Sequence, residues 1–246
     1  MLLKDFTFDV IHFDELPSTN IHAQEILRRG KLRHGEVICT EYQSQGKGQM
    51  SAAWESKPSE NLLISICLRL NWPVGQLFQL TKCASLALID LLDKLAVDQA
   101  RIKWPNDILI GNKKVGGILI ENSIHGQQAN YTIFGIGLNV NQKDFEDYHR
   151  AASSLSMALG RNLDRKQLLS ELLKSVKNRL NDLSDQRRMD QDYLNRLYGK
   201  HQLMHYASKG QKFKAELVGV DPMGKLILQQ EGTQALYDLK EIQFLD

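Results

Sequence analysis

Two lysines stand where chemistry is a natural explanation for the charge. Lys103 lies in Arg101-Ile-Lys-Trp-Pro-Asn-Asp107, whose first residues alternate polar and apolar like a strand with one buried face. Its ammonium therefore sits in an apolar surround. Burying an unpaired lysine lowers its pKa or costs on the order of several kcal/mol, and an anionic ligand removes that problem. Lys47 is flanked by Gly46 and Gly48 in Gln43-Ser-Gln-Gly-Lys-Gly-Gln-Met-Ser-Ala-Ala-Trp54. There backbone amides can approach a ligand while a cation points at it, an anion cradle, with a flexible surface loop as the plain alternative. Trp54 closes the loop, either over a planar ligand or into the core. Ser18, Thr19 and Asn20 open a helical pattern. Ser18 or Thr19 is suited to N-cap it, and the same hydroxyls could meet a polar ligand group at the positive helix end.

The elements that must position these groups follow from periodicity. Residues 8–13, 36–42 and 61–70 read as strands, and residues 21–29 as a short helix ended by Gly30. Residues 78–96 carry a broad leucine and alanine face and read as a long helix. Pro105-Asn106-Asp107 breaks the strand begun at 101, residues 108–110 resume it, and Gly111-Asn112-Lys113 turns into a returning strand at 115–121. The glycine pair Gly116 and Gly117 opens that strand, which otherwise wants side chains, so something packs there. Residues 131–141 form a further strand, with Asn139 and Asn141 on one face as strand-end caps or as a ligand-facing pair. Asp164 and Gln167 have capping-box spacing ahead of a helix over 164–183, and residues 190–197 continue helically. From about residue 200 the pattern changes to short strands at 211–220, 226–230 and 235–244, a small barrel docked on the first domain.

A chain of 246 residues suits one large domain plus a small one, divided here as 1–199 and 200–246. The 42% hydrophobic and 24% charged content describes an ordinary globular protein with a real core, and a formal net charge of +2 gives no argument for nucleic acid or a membrane surface. Cys39, Cys67 and Cys83 lie in apolar segments and read as reduced core residues of a cytosolic protein. The N-terminus has no apolar run suited to a signal peptide, and no stretch approaches the ~20 apolar residues of a membrane span. Zinc spacing, Walker and Rossmann glycine signatures, and nucleophile triads are all missing from the sequence.

Taken together and in chain order, five segments resemble the biotin protein ligases. They are Ser18-Thr19-Asn20, Gln43-x-x-Gly46-Lys47-Gly48-x-x-x-x-x-Trp54, Lys103-Trp-Pro-Asn-Asp107, Val115-Gly-Gly-Ile-Leu-Ile-Glu121 and Gly135-Ile-Gly-Leu-Asn-Val-Asn141. The resemblance covers nearly all of the chain. It implies an α+β fold: a mixed β-sheet packed with helices, of the class II aminoacyl-tRNA synthetase-like (biotin–lipoate ligase) type, plus a C-terminal SH3-like barrel. It implies a biotin–[acetyl-CoA-carboxylase] ligase, in which the biotin carboxylate attacks the α-phosphate of ATP. Biotinyl-5′-AMP stays bound, and a lysine of a biotin carboxyl carrier domain takes the biotinyl group. Lys103 would be the catalytic cation. Biotin would be met by Ser18, Thr19, Asn20, Gln43, Lys47, Gly48, Gln49, Lys103, Gly116 and Gly117. ATP would be met by Gly46, Lys47, Trp54, Asn106 and Asn139. Mg²⁺ is expected with ATP, with Asp107 as a candidate ligand because a carboxylate suits that hard ion.

The loop departs from the family's usual Gly-Arg-Gly-Arg-x-Gly-Arg-x-Trp. Lys47 and Gln49 replace the first two arginines, Ser51 the third glycine and Ala52 the last arginine. Weaker ATP binding or a leakier intermediate is expected, since lysine lacks arginine's bidentate grip and two charges are gone. The chain begins directly in the catalytic domain, so a DNA-binding repressor role is not expected, and an exposed sheet edge could pair two subunits. The rival readings are a lipoate ligase or octanoyl transferase of the same fold, and a non-catalytic biotin-binding module.

Overall fold

The computed structural model describes residues 6–145 and 151–245; residues 1–5, part of the stretch read for a signal peptide, lie outside that range. Seven strands of the main domain build one mixed sheet. Strands β1 (Asp9–Leu16), β2 (Glu36–Gln43), β3 (Leu62–Pro73), β4 (Ala100–Lys103), β5 (Asp107–Ile110), β6 (Lys113–His125) and β7 (Gln128–Leu138) lie in the order β1-β2-β3-β7-β6-β5-β4. Only β1 and β2 run parallel; the other neighbours are antiparallel. Helix α1 (Thr19–Arg28) crosses between the parallel pair, as such a pair requires.

Alternation along the strands decides what each sheet face touches. Val37, Cys39, Ile64, Ile66, Leu68, Phe134, Ile136 and Ile118 join one large core with α2 (Phe78–Lys94), α4 (Arg165–Asn181) and α5 (Gln186–Arg196). Ile38, Cys67 and Ile133, one residue out of phase, form a second, smaller core with Ala23 of α1. Buried on both faces, the first seven residues of β3 are an unbroken inaccessible run. Each fully buried leucine on the helical side contributes roughly 1.5–3 kcal/mol. Arg179 of α4 ties the layer together with a two-pronged bond to Asp90 of α2, at 2.7 Å on each arm, and a 2.6 Å bond to Asp192 of α5. The cavity forms on the second face of the sheet, beside the start of α1.

Several boundaries differ from the periodicity reading. The strand expected to reach residue 141 ends at Leu138, because Asn139 and Asn141 leave the ladder: Asn139 Nδ2 donates to the Ser153 carbonyl and Asn141 pairs twice with the Leu163 backbone. Ser18 occupies the N-cap position of α1, but its side chain makes no cap bond, and Thr19 bonds to Gln43 instead. Asp164 does cap α4, accepting from Lys166 and Gln167. The continuation expected at 190–197 is the separate helix α5, started by Asp185. A short α3 (Leu155–Leu159), capped by Ser154, was not expected.

The C-terminal part is a second, five-stranded antiparallel sheet of β8 (Leu203–Ser208), β9 (Gln211–Val220), β10 (Leu226–Gln230), β11 (Thr233–Tyr237) and β12 (Gln243–Phe244), ordered β11-β10-β9-β8-β12. This fits the expected SH3-like unit, with β8 added and the strand expected over 235–244 split in two. Its buried Met204, Tyr206, Leu217 and Leu228 are continuous with the main core. The turn between β9 and β10 is wedged in place. Gly224 has φ +94°, a Cβ there would lie 2.5 Å from the Phe78 ring, and its carbonyl accepts the Trp104 indole N–H at 2.8 Å.

Candidate active site

A cavity of about 780 Å³ opens on the second sheet face, bounded by the start of α1, the 46–54 loop, the 103–107 turn, β6, β7 and the C-terminal segment. One end is a hydrogen-bonding corner. Gln43 Oε1 accepts from Thr19 N at 2.8 Å and Thr19 Oγ1 at 3.2 Å, and Ser18 and Gln43 both line the cavity. Asn20 is fixed beneath it: Oδ1 accepts from Ser65 Oγ at 2.5 Å, and Nδ2 donates to the Leu119 carbonyl and to Glu121. A side chain at Gly135 would run into that amide, with Cγ and Nδ2 both at 2.8 Å from its Cβ.

The other end is a floor. Gly117 and Gly137 are cross-strand partners on β6 and β7, and the Trp54 ring lies on them. A Cβ would come within 2.6 Å of Trp54 Cζ2 at Gly137 and 3.0 Å of Cζ3 at Gly117. The indole Nε1 is buried and has no acceptor among the described residues. The loop carrying Trp54 closes on itself through Trp54 N to Gly46 O at 2.9 Å and Gly48 N to Ala52 O at 2.7 Å.

Charged side chains line the same cavity. Lys103 reaches the cavity because Ile102, its neighbour, is buried in the helical core. Lys114 also lines it, 2.6 Å from Asp107 and 5.6 Å from the Trp54 ring centre. With Lys47 on the loop, three lysines and one carboxylate, Asp107, line the cavity among the described residues, a field suited to an anionic ligand. Asn106 is 9% exposed and braces the turn, its Nδ2 donating to Ile118 O at 2.6 Å.

Of the expected residues, Ser18, Thr19, Asn20, Gln43, Lys47, Gly48, Gln49, Trp54, Lys103, Asn106, Asp107 and Gly117 line the cavity. Gly46 sits behind the loop backbone, where a Cβ would strike the Trp54 carbonyl. Gly116 faces the other way, toward Leu138 and Ile108, since one step along a strand changes face. Asn139 is 4% exposed and committed to Ser153 outside the cavity wall. Lys114 was missed for a physical reason. Strict alternation puts it with Gly116 on the core side, but the β5–β6 register slips between Ile108 and Leu109 so that Val115 is an extra residue, and this bulge turns Lys114 into the cavity. The C-terminal wall, Leu239, Ile242, Phe244 and Leu245, carries no local signal at all.

The architecture is that of a ligase built around a cavity on one sheet face. In fold the chain is similar to the biotin protein ligase from Aquifex aeolicus in complex with biotin and ATP, with a TM-score of 0.79 and 25% identity over 96% of this chain and 97% of that one. Residues 12–139 match the model of the biotin/lipoate A/B protein ligase family, and the chain belongs to that family. It is 33% identical over 234 residues to the bifunctional ligase/repressor BirA of Bacillus subtilis, covering 93% of this chain and 72% of that protein. With BirA of Escherichia coli the identity is 29% over 224 residues, 88% of this chain and 69% of that protein. The chain is thus a ligase of that family.

Proposed function

We propose that this enzyme joins biotin to AMP at the expense of ATP and then passes the biotinyl group to a lysine of a biotin carboxyl carrier domain. The observation that carries the reading is that Lys103, Lys114 and Lys47 line one cavity together with a hydrogen-bonding corner and an aromatic floor. The corner of Ser18, Thr19 and Gln43 suits the ureido head of biotin, and Trp54 suits the adenine. The carboxylate and the α-phosphate then meet beside Lys103 and Lys114.

Two anions repel as they approach, so the chemistry needs positioning and fixed positive charge more than it needs a nucleophile from the protein. A carboxylate oxygen bonds to the α-phosphorus, the bond to the β-phosphate bridging oxygen breaks, and pyrophosphate leaves. The neutral amine of the acceptor lysine then attacks the mixed-anhydride carbonyl, and AMP departs with the bonding electrons. Lys103 and Lys114 offset the charge on the phosphate in both steps.

Magnesium enters this reading with the ATP, held by its phosphates. Asp107 is already paired with Lys114 at 2.6 Å, and the described residues hold no cluster of three His, Cys, Asp or Glu. Among the described residues that line the cavity Asp107 is the one carboxylate, which accords with the sparse protein ligation usual for magnesium on a nucleotide. A cytosolic setting agrees with the three free, buried cysteines, and no helix among the described residues is long and apolar enough to cross a membrane.

The test is incubation with biotin, Mg-ATP and a carrier domain, read by intact mass. One biotinyl addition to the carrier lysine is expected, with biotin-dependent ATP–pyrophosphate exchange beside it. Transfer of lipoate in preference to biotin would refute the substrate; biotin binding without exchange would refute catalysis.

A further inference from the structure

The C-terminal sheet reaches the cavity at a point the reaction scheme leaves unused. Its last strand, β12, places the Phe244 ring centre 5.1 Å from Nζ of Lys103, and both side chains line the cavity. That is within the range at which an ammonium is drawn to an aromatic face. Phe244 is itself fixed. Its ring meets Tyr206 edge-on at 5.0 Å, and Tyr206 is fully buried. Phe244 pairs with Tyr206 across β12 and β8, and Leu245 N donates to His205 O at 3.0 Å. The residue after Lys103 is held by the same sheet, through the Trp104 indole and the Gly224 carbonyl. A lysine on a four-carbon stem has many rotamers, so a rigid ring beside its ammonium selects among them.

We propose that Phe244 is a positioning residue for Lys103, holding the ammonium at the reaction centre through its ring face, so that the C-terminal sheet completes the active site. The proposal rests on the reading of Lys103 as the cation that meets the reacting carboxylate and phosphate. It separates two roles for Phe244. A purely structural ring depends on volume alone, whereas a ring that orients a cation depends on the electron density of its face.

Site-specific replacement of Phe244 by mono-, di- and trifluorophenylalanine in the full chain keeps the volume and drains the face stepwise. The readouts are kcat and both KM values in biotin-dependent ATP–pyrophosphate exchange, with melting temperature alongside. A stepwise fall in kcat at constant melting temperature and nearly constant KM is expected, and Phe244→Leu should lower kcat roughly five- to thirtyfold. Equal kcat across the fluorinated series overturns the proposal. Lys103→Ala serves as the parallel arm. If it exchanges normally, the role of Lys103 fails and this inference with it. If it is inactive while the series stays flat, only the role of Phe244 fails.

Discussion

Gly135→Ala and Gly137→Ala are the same change made on one face of β7, yet they should damage different things. The new methyl at 135 meets the Asn20 amide, with Cγ and Nδ2 both at 2.8 Å; at 137 it meets the Trp54 indole, with Cζ2 at 2.6 Å and Nε1 at 2.9 Å. Carbon contacts settle near 3.5–4.0 Å, so either neighbour must retreat by about 1 Å. Asn20 is 3% exposed and bonded to Ser65, Leu119 and Glu121, so retreat breaks at least one of those bonds. An orphaned buried polar group costs about 1–3 kcal/mol and overpacking adds a similar sum. A loss of roughly 2–5 kcal/mol lowers the melting temperature by roughly 5–15 °C in a chain this size. Trp54 instead rides on a short loop closed by a few backbone bonds and can lift with it, at about 1 kcal/mol or less. Its stacking surface is then misplaced, and the KM for ATP should rise roughly two- to tenfold while that for biotin stays put. Gly135→Ala should show the opposite pattern. Scanning fluorimetry and exchange kinetics with each substrate varied in turn decide it. A Gly137→Ala enzyme whose biotin KM rises as much as its ATP KM would refute the assignment of the two ends.

Lys103→Ala should keep its melting temperature within about 2 °C yet lose adenylate formation by roughly a hundredfold or more, as pyrophosphate exchange would show. Restoring charge to the loop with the pair Gln49→Arg and Ala52→Arg should slow the escape of biotinyl-AMP, measured by filter retention; an unchanged rate means that the loop charges do not hold the intermediate. Arg179→Met leaves Asp90 and Asp192 without their partner and should cost roughly 3–5 kcal/mol by denaturant unfolding, with KM values intact at permissive temperature. Burial pushes the Cys39 thiol up to about 11 and Cys67 up to about 12, and raises Cys83 further. The native protein should therefore resist thiol reagents at pH 8, each group reacting only on unfolding.

What could be read in the sequence followed from rules that act over a few residues. β3 announced itself by an apolar run interrupted only by Ser65, α2 by its leucine face, and the turn at 105–107 by proline, each a local preference that the packing did not have to override. Lys103, expected in an apolar surround, is instead half-buried on the cavity face, opposite the buried Ile102. Alternation misplaced Lys114, since a bulge is an insertion in the pairing and leaves the hydrophobic pattern nearly unchanged. Gly116 and Gly117 looked equivalent in the chain, but one step along the strand sends the first to the helical core and the second under Trp54.

The contacts least legible in the sequence join distant segments, and they are the ones that turn separate motifs into a site. Trp54 finds its floor only because β6 and β7 pair in a register that sets Gly117 opposite Gly137. A shift of one residue would put Ile118 or Ile136 there and lift the ring off the sheet. The register is fixed in turn by the helical core, because Ile118 pairs with Ile136 and both must face α2 and α4. The leucines of those helices, which carry no chemistry, thereby decide where the aromatic floor can form. Phe244 depends on the same logic at longer range, since it reaches Lys103 only when the Gly224 turn is seated against Phe78 and Trp104. A substitution such as Gly224→Ala, far from the cavity, should therefore act on kcat through the placement of the C-terminal wall.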